Sequence, residues 1–401
     1  MTLAVLLALA LCVSLTPLAA ALAWRCDAVS KPDGHRKLHQ RPTPLWGGLS
    51  LYLALLTALA GGHLLAAGSG PSIALPIALA LSGGILCLLG AWDDLKELSA
   101  GRKLVGQLAA TLPVVLAGFY VERVELLGAT FELGWVGIVA TMGWLLLCVN
   151  AVNLIDGMDG LASTVGILTS VAVAVVAGLS GLAEVTLAAL ALAAALVGFF
   201  VHNRPRARIY LGDSGSMVVG GVLGVLVLRV STGGTPAANL TVAAALFFLP
   251  LLDTFLAVVR RTLQRRSLMD ADRGHVHHRL LDRGWGPWRV LGMLGGLSAA
   301  SGIVGSLVAA SGQELLAWVV LPAIAALACH RQLIGYEEWR LAKQRLVGLS
   351  VRLYGRRQPV PPSPRLRVVG RPSGKRIREG VLRARAALGE RATRERSKSA
   401  A

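Results

Sequence analysis

Long apolar runs, separated by short polar segments, follow one another along most of this chain. Most of the runs are about 20 residues long, which is the length a helix needs to cross the hydrocarbon core of a bilayer. Eleven runs have their cores at residues 3–23, 49–67, 72–91, 104–121, 134–149, 161–182, 185–201, 217–228, 240–259, 290–310 and 315–330. The pattern therefore predicts an all-α polytopic membrane protein with about eleven transmembrane helices.

The first run ends like a secretory signal peptide, in the alanine-rich residues 20–23. It lacks the basic residues that precede the apolar core of such a peptide, however, and Arg25 follows it directly. We therefore expect this run to be retained as a span with its N-terminus outside. Lys and Arg concentrate in alternate loops, near residues 25–41, 96–103, 204–208 and 260–289. Because loops rich in these residues stay in the cytoplasm, all four should face it, and an odd number of spans places the C-terminus there too.

The composition agrees with a membrane protein and adds a distinct C-terminal segment. Hydrophobic residues make up 54% of the 401 residues, and charged ones only 15%. The formal net charge is +18, and residues 336–401 hold 18 Lys and Arg against 5 Glu. We therefore predict a transmembrane domain over residues 1–335 and a basic, largely disordered cytoplasmic tail over residues 336–401, held near anionic membrane lipids. No known nucleic-acid-binding fold accompanies this charge, so we expect no nucleic-acid partner.

Five polar clusters lie on the predicted cytoplasmic side, and the simplest is the pair Asp93-Asp94 at the end of the third run. Adjacent carboxylates repel each other, so such a pair usually needs a cation or carries a raised pKa. Mg²⁺ prefers oxygen ligands and bridges phosphates, and it would supply that cation. A solvated turn between two helices is the alternative explanation for this motif taken alone.

The richest cluster places Asn150, Asn153, Asp156 and Asp159 at three-residue spacing between two apolar runs. An ionisable group beside hydrocarbon costs several kcal/mol unless it is paired, hydrated or bound to a cation, so we interpret the cluster as functional. Three-residue steps spread the four side chains over about half of a helix surface. They can converge only if the glycines among them break the helix. Capping of a helix by Asp would explain one carboxylate but not both.

Three further clusters combine basic residues with a carboxylate or with histidines. Residues 202–205 lead to residues 212–216, Gly-Asp-Ser-Gly-Ser, whose carboxylate lies near a predicted helix N-terminus and suits a metal-bound phosphate. Residues 275–279, His-Val-His-His-Arg, suit either zinc or a pyrophosphate, and we favour the pyrophosphate. Residues 32–44 are basic and rich in proline, which suits phosphate but also follows from the topology alone.

Together, in this order and on one side of the membrane, the clusters resemble the polyprenyl-phosphate N-acetylhexosamine-1-phosphate transferases of the glycosyltransferase 4 type. The resemblance covers residues 27–284 and departs from the family at Leu45-Trp46, where Arg usually follows Pro-Thr-Pro. It implies that a lipid phosphate attacks the β-phosphorus of a UDP-amino sugar and releases UMP. It also implies Mg²⁺ as cofactor, with Mn²⁺ as a substitute. Direct attack and an aspartyl intermediate both remain open, and we favour direct attack.

The same resemblance implies a role for each residue that matches a family motif. The catalytic carboxylates would be Asp93, Asp94, Asp156 and Asp159. The metal ligands would be Asn153 and Asp213. The substrate-binding residues would be Lys103, Asn150, Asn203, His275, His277, His278, Arg279, Arg36 and His39.

His-Val-His-His resembles the branch that transfers N-acetylglucosamine 1-phosphate from UDP-N-acetylglucosamine to undecaprenyl phosphate. That branch initiates cell-envelope glycans, among them lipopolysaccharide and cell-wall polymers. The alternative branch uses UDP-N-acetylmuramoyl-pentapeptide for peptidoglycan synthesis, and it usually has a triple-histidine run and ten spans. The implied partners are a polyprenyl phosphate and a UDP-amino sugar, and a homodimer stays open.

The implied location is the bacterial cytoplasmic membrane, with the N-terminus outside and the active site and C-terminus in the cytoplasm. A cation-coupled membrane transporter is the alternative from another functional class. It would predict polar groups near the bilayer midplane and repeated halves. The clusters lie at one face instead, and no repeat is evident, so we favour the transferase.

Overall fold

The computed structural model describes residues 1–31, 41–65, 72–235, 237–267 and 274–354. Arg36 and His39, and the predicted tail beyond residue 354, lie outside the described residues. The helices are α1 (Thr2–Arg25), α2 (Gly47–Leu65), α3 (Ala74–Lys96), α4 (Ala100–Leu116), α5 (Val136–Ile155), α6 (Leu161–Leu179), α7 (Ala183–Asn203), α8 (Gly212–Ser231), α9 (Leu240–Leu246), α10 (Phe248–Gln264), α11 (Val276–Asp282), α12 (Pro287–Ser311), α13 (Glu314–His330) and α14 (Tyr336–Tyr354). The strands are β1 (Val29–Ser30), β2 (Thr43–Pro44), β3 (Arg123–Leu126), β4 (Ala129–Glu132) and β5 (Ala237–Asn239).

The fold is that of a helical, multi-pass membrane protein, as the apolar pattern predicts. Eight described helices are long and apolar enough to cross a membrane, namely α1, α2, α3, α5, α6, α7, α8 and α12. Helices α9 and α10 would make a ninth span, but they are bent by 87° relative to each other. Pro250 in the first turn of α10 has no N–H to donate to the preceding turn, which favours the break.

Counted by helix length and apolar composition, the spans number eight or nine among the described residues rather than about eleven. All eleven predicted runs nevertheless fall on helices. Helix α4 is only 17 residues long and carries Arg102 and Lys103 in its first turn. Helix α13 is also 17 residues long. Periodicity and hydropathy located both helices.

Helix α8 lies at the centre of the bundle, and almost all of it is buried. Its sequence is apolar on every side, as expected of a helix surrounded by other helices. Three of its glycines, Gly220, Gly221 and Gly224, lie against neighbouring helices, and a Cβ atom on Gly220 would lie 2.7 Å from the carbonyl oxygen of Cys148. Small residues let helix backbones approach closely in a membrane. The first turn of α8, which carries Asp213, is thus held on a well-packed helix.

The two ends of the bundle differ in character. The predicted polar clusters lie in the connections α3–α4, α5–α6, α7–α8 and α10–α11 at one end. A three-stranded sheet has β3 at its centre, antiparallel to β4 and parallel to β5. Because β3 follows α4 and β5 follows α8, and both helices begin at the polar end, the sheet lies at the opposite end. The sequence pattern did not predict this sheet.

The start of the predicted tail forms helix α14, and the first of two compact units of the chain, Met1–Gln344, includes the beginning of this helix. Glu338, in the first turn of α14, is only 3% exposed. The structure therefore places residues 336–344 within the first compact unit. Disorder and lipid contact in the rest of the tail remain a prediction.

Candidate active site

Asp213, in the first turn of α8, joins residues from three helices. Its carboxylate accepts a hydrogen bond of 2.7 Å from the Asn153 side-chain amide near the end of α5. The same amide donates to the Ser216 hydroxyl at 2.9 Å. The ammonium group of Lys103, from α4, forms an ion pair with the second carboxylate oxygen of Asp213. The structure thus brings together both predicted metal ligands and Lys103, which was predicted to bind substrate.

Lys103 also binds Asp93, so one ammonium group bridges two carboxylates. Its Nζ atom lies 2.9 Å from the Oδ2 atom of Asp93. The other oxygen of Asp93 accepts a hydrogen bond of 2.6 Å from the backbone N–H of Leu98. This bond holds the carboxylate against the turn that joins α3 to α4. The carboxylate of Asp93 is therefore held in a fixed position beside Lys103.

Asp94 makes different contacts from Asp93. Its two oxygens accept hydrogen bonds from the backbone N–H groups of Asp213, at 2.9 Å, and Ser214, at 3.3 Å. The first N–H groups of a helix have no partners within that helix. A carboxylate from α3 thus caps α8, and its negative charge also suits the positive end of the helix dipole. Asp94 positions Asp213, whereas Asp93 contacts Lys103.

Two glycines let neighbouring helices press against the first turn of α8. A Cβ atom on Gly90, in α3, would lie 2.3 Å from the carbonyl oxygen of Asp213. A Cβ atom on Gly48, in α2, would lie 2.2 Å from the backbone nitrogen of Gly215. Because backbone cannot move aside as a flexible side chain can, only glycine fits at either position.

Replacing Gly90 by Ala should therefore lower the midpoint of thermal unfolding of the purified protein. Overpacking of a core by one methyl group typically destabilises it by about 1–3 kcal/mol. Gly143→Ala is the matched control, because Gly143 lies inside α5 and its added Cβ would meet nothing within 4 Å. Equal midpoints for the two variants would contradict this account of Gly90.

Asp156 follows the last residue of α5 and lies among other carboxylates. Burial raises the pKa of Asp156 well above its usual range, and the charges of Asp213, Asp94 and Asp159 raise it further. A group of carboxylates that raise one another's pKa is short of positive charge. A bound cation would relieve this repulsion.

Magnesium fits this end of the bundle by charge and by donor chemistry rather than through a complete set of protein ligands. Among the described residues, no three His, Cys, Asp or Glu side chains converge to hold a metal ion. Mg²⁺ usually takes one or two protein carboxylates and completes its coordination with water and substrate phosphates. Asp213 and Asn153 together match that limited contribution from the protein.

Two other residues of the Asn-Asp motif make structural contacts. One oxygen of Asp159 accepts hydrogen bonds of 3.0 Å from the backbone N–H groups of Arg206 and Ala207, in the turn between α7 and α8. Asn150 lies one helical turn before Asn153, and its amide donates to the Gln107 side chain at 2.9 Å. Among the described residues, neither side chain forms a hydrogen bond with Asp213 or Lys103.

Asn203, predicted to bind substrate, is only 3% exposed and its polar atoms are used within the protein. Its side-chain oxygen accepts hydrogen bonds from the Gly160 backbone, at 3.0 Å, and from the Ser163 hydroxyl, at 3.1 Å. Its amide donates to the Ile209 carbonyl at 3.0 Å. Asn203 therefore ties the α5–α6 turn to the α7–α8 turn.

The histidine motif opens helix α11 and is anchored by an aspartate from α10. His275 Nδ1 lies 2.7 Å from Asp253 Oδ2, and the Val276 backbone N–H donates to Asp253 Oδ1 at 3.0 Å. His277 is 1% exposed and lies so close to Gly157 that a Cβ atom there would be 2.3 Å from its Nε2 atom. Burial, and then the neighbouring histidine, lower the pKa of His277 to about 3, so its ring is neutral at pH 7.

The last two residues of the motif contact different partners from His275. The His278 ring lies 4.2 Å from the His277 ring, centre to centre. Both terminal nitrogens of Arg279 bind the Glu338 carboxylate of α14. Arg279 was predicted to contact substrate phosphates, but in the structure its guanidinium group is engaged by a glutamate.

Three residues that contact the histidine motif or one another beside it were absent from the sequence-based candidates: Asp253, Arg260 and Glu338. Asp253 had a detectable signal, because an aspartate within an apolar run is costly unless it is paired. Arg260 and Glu338 had none, since both lie in segments rich in charged residues.

Comparison with known proteins gives consistent matches. Residues 76–231 match the sequence pattern of glycosyl transferase family 4. A probable undecaprenyl-phosphate N-acetylglucosaminyl 1-phosphate transferase of Bacillus subtilis is 29% identical over 269 residues, which are 67% of this chain and 73% of that protein. A decaprenyl-phosphate N-acetylglucosaminephosphotransferase of Mycolicibacterium smegmatis is 33% identical over 291 residues, 66% of this chain and 71% of that protein. A phospho-N-acetylmuramoyl-pentapeptide-transferase of Shouchella clausii is 28% identical over 279 residues, 65% of this chain and 81% of that protein.

Proposed function

We propose a reaction for this chain, which belongs to glycosyl transferase family 4, the polyprenyl-phosphate N-acetylhexosamine-1-phosphate transferases. It transfers N-acetylglucosamine 1-phosphate from UDP-N-acetylglucosamine to a polyprenyl phosphate. An oxygen of the lipid phosphate forms a bond to the β-phosphorus, the bond from that phosphorus to the bridging oxygen breaks, and UMP leaves with the oxygen. The other product is polyprenyl-pyrophosphoryl-N-acetylglucosamine, which starts a cell-envelope glycan.

The single observation that carries the proposal is the cluster of Lys103, Asp93, Asp213 and Asn153 at one end of the bundle. Phosphoryl transfer depends mainly on positioning and on neutralising the charge of the phosphates. Lys103 is held between two carboxylates and can turn its remaining N–H toward a phosphate. The lipid phosphate is already anionic near neutral pH, so Asp93 acts by orienting it rather than as a strong base.

The proposal includes Mg²⁺, with Asp213 and Asn153 as the residues that would hold it. When bound, the ion would neutralise the pyrophosphate of the sugar nucleotide and the repulsion among the carboxylates. Asp94 would keep Asp213 in place for this purpose through the two backbone hydrogen bonds that it accepts.

The proposed location is the bacterial cytoplasmic membrane, with the cluster at the cytoplasmic face. The basic loops near residues 96–103 and 204–208 lie at the same end as the cluster, and loops rich in Lys and Arg stay in the cytoplasm. UDP-sugars are cytoplasmic, whereas the lipid carrier lies in the bilayer. A site at the ends of spanning helices is accessible to both.

A second candidate reaction uses UDP-N-acetylmuramoyl-pentapeptide, because the Shouchella clausii relative is named for that substrate. The Bacillus and Mycolicibacterium relatives favour N-acetylglucosamine by their names. Both reactions use the same phosphate chemistry, and the sugar side of the pocket would distinguish them.

The test is release of UMP by the purified full-length chain supplied with undecaprenyl phosphate and Mg²⁺. The two sugar nucleotides are offered in separate reactions, and EDTA is the control for the metal. We expect UMP and a lipid-linked product with UDP-N-acetylglucosamine, and neither with the pentapeptide nucleotide or with EDTA. UMP from the pentapeptide nucleotide alone would establish the second candidate, and turnover in EDTA would remove Mg²⁺ from the proposal.

A further inference from the structure

The first turn of α14 places a buried carboxylate between two arginines. Glu338 and Arg260 are each 3% exposed. Arg279 binds both oxygens of Glu338, one of them at 2.9 Å, and Arg260 forms an ion pair with one of the same oxygens. A two-point contact between arginine and a carboxylate fixes orientation as well as distance. One glutamate therefore joins α10, α11 and α14.

The two arginines lie on either side of the histidine motif in the chain. Arg279 is in the first turn of α11, directly after His278. On the other side, a Cβ atom on Gly274 would lie 2.3 Å from Arg260 Nε, so Arg260 packs against the residue that precedes His275. Glu338 thus holds the motif at both of its ends.

The motif in turn lies against the α5–α6 turn, next to Asp156. His277 packs on Gly157, which directly follows Asp156. Asp253 anchors His275 and Val276 from α10, the helix that also carries Arg260. A shift of α11 would therefore be transmitted to the turn that carries Asp156.

Removing the charge of Glu338 would leave two guanidinium groups close together with little access to water. Loss of one member of a buried ionic group is costly, because the two like charges then repel each other without the carboxylate between them. Burial alone would raise the pKa of Glu338, but the hydrogen bonds and charge of Arg279, together with a hydrogen bond from Arg260, lower it below its usual value. The carboxylate is thus ionised at neutral pH.

We propose that Glu338 is a positioning residue, which fixes α11 and its histidines against the α5–α6 turn of the active site through Arg260 and Arg279. The inference rests on the proposed function for its kinetic consequence, but its structural consequence can be measured separately. It also gives the start of the predicted tail a role in the enzyme.

The test compares Glu338→Gln with Glu337→Gln, a matched control at an exposed neighbouring glutamate. The first readout is hydrogen–deuterium exchange of the α11 backbone in the purified protein, which needs no activity. We expect faster exchange over residues 276–282 in Glu338→Gln alone. Equal exchange in the two variants would overturn the proposal, whatever reaction the protein catalyses.

The second readout is kinetic and uses the UMP assay. Misplacement of binding groups by about 1 Å can cost on the order of 10²-fold in kcat/KM. We expect most of the loss in Glu338→Gln to appear as a higher KM for the sugar nucleotide, with the KM for polyprenyl phosphate little changed. Glu338→Asp, which keeps the charge on a shorter side chain, should recover part of it. Equal rises in both KM values would indicate general damage and overturn the positioning role.

Two truncations cover the case in which Glu338→Gln does not fold. A chain ending at residue 354 keeps α14, and we expect it to retain the α11 exchange pattern and the activity of the full chain. A chain ending at residue 335 should lose both. If the shorter chain matched the longer one in both readouts, the role assigned to Glu338 would be wrong.

Discussion

Asp213→Asn is expected to abolish transfer while leaving the protein folded. The amide keeps the shape of the side chain and can still accept one hydrogen bond, but it removes one of the two negative charges that hold Lys103. It also removes the anionic oxygen that a hard cation such as Mg²⁺ would prefer. Loss of one preorganised electrostatic group typically lowers kcat by about 10²–10³-fold, and a group that serves both a cation and a lysine should lie at the upper end.

The measurement is kcat for UMP release, combined with the midpoint of thermal unfolding of the same preparation. Asp282→Asn is the matched control, because Asp282 is an exposed residue at the end of α11. The control should be fully active, and both variants should unfold near the temperature of the unchanged protein. Near-normal turnover in Asp213→Asn would remove this residue from the catalytic centre and leave the metal site without its main ligand.

Motif spacing in the sequence indicated that Asn153, Lys103 and Asp213 lie close together, because it reports on where helices end. The Asn-Asp motif could converge only if its glycines broke the helix, and α5 does end at Ile155, with Gly160 in a left-handed conformation. Asn153 then points to Asp213, while Asn150, one turn earlier, points to Gln107. Local geometry was therefore available from the sequence.

The choice of partner within the site was not available from the sequence. Asp93 and Asp94 are adjacent, and only the direction of each side chain decides that one binds Lys103 and the other caps α8. The same holds for Glu337 and Glu338 in α14, of which one is exposed and the other buried. Successive residues on a helix differ by about 100° around its axis, so packing of distant helices makes the selection.

Lys103→Met is expected to reduce both activity and stability. The ammonium group lies between Asp93 and Asp213. The side chains of Lys103, Asp93 and Asp213 are 19%, 10% and 29% exposed, so water can compensate only in part for the lost ammonium group. Methionine has a similar length but cannot pair with either carboxylate. Hydrogen bonds to charged groups contribute about 1.5–3 kcal/mol each to the free energy of unfolding. Because the three side chains are partly exposed, we expect the combined loss from the two contacts to lie near the lower end of this range.

The sharpest readout for Lys103→Met is the effect of Mg²⁺ on thermal unfolding. Without the lysine, the carboxylate cluster has lost the cation that pairs with it in the structure, so a divalent ion should bind more favourably and recover more stability than in the unchanged protein. Lys96→Met, at an exposed lysine in the last turn of α3, is the control and should respond to Mg²⁺ as the unchanged protein does. Activity should stay low even with Mg²⁺, because the ion restores charge to the cluster but not the N–H donor that faces the phosphates. A Lys103→Met protein that is active, or whose stability is no more sensitive to Mg²⁺ than that of the control, would show that Lys103 is a surface charge rather than part of the phosphate site.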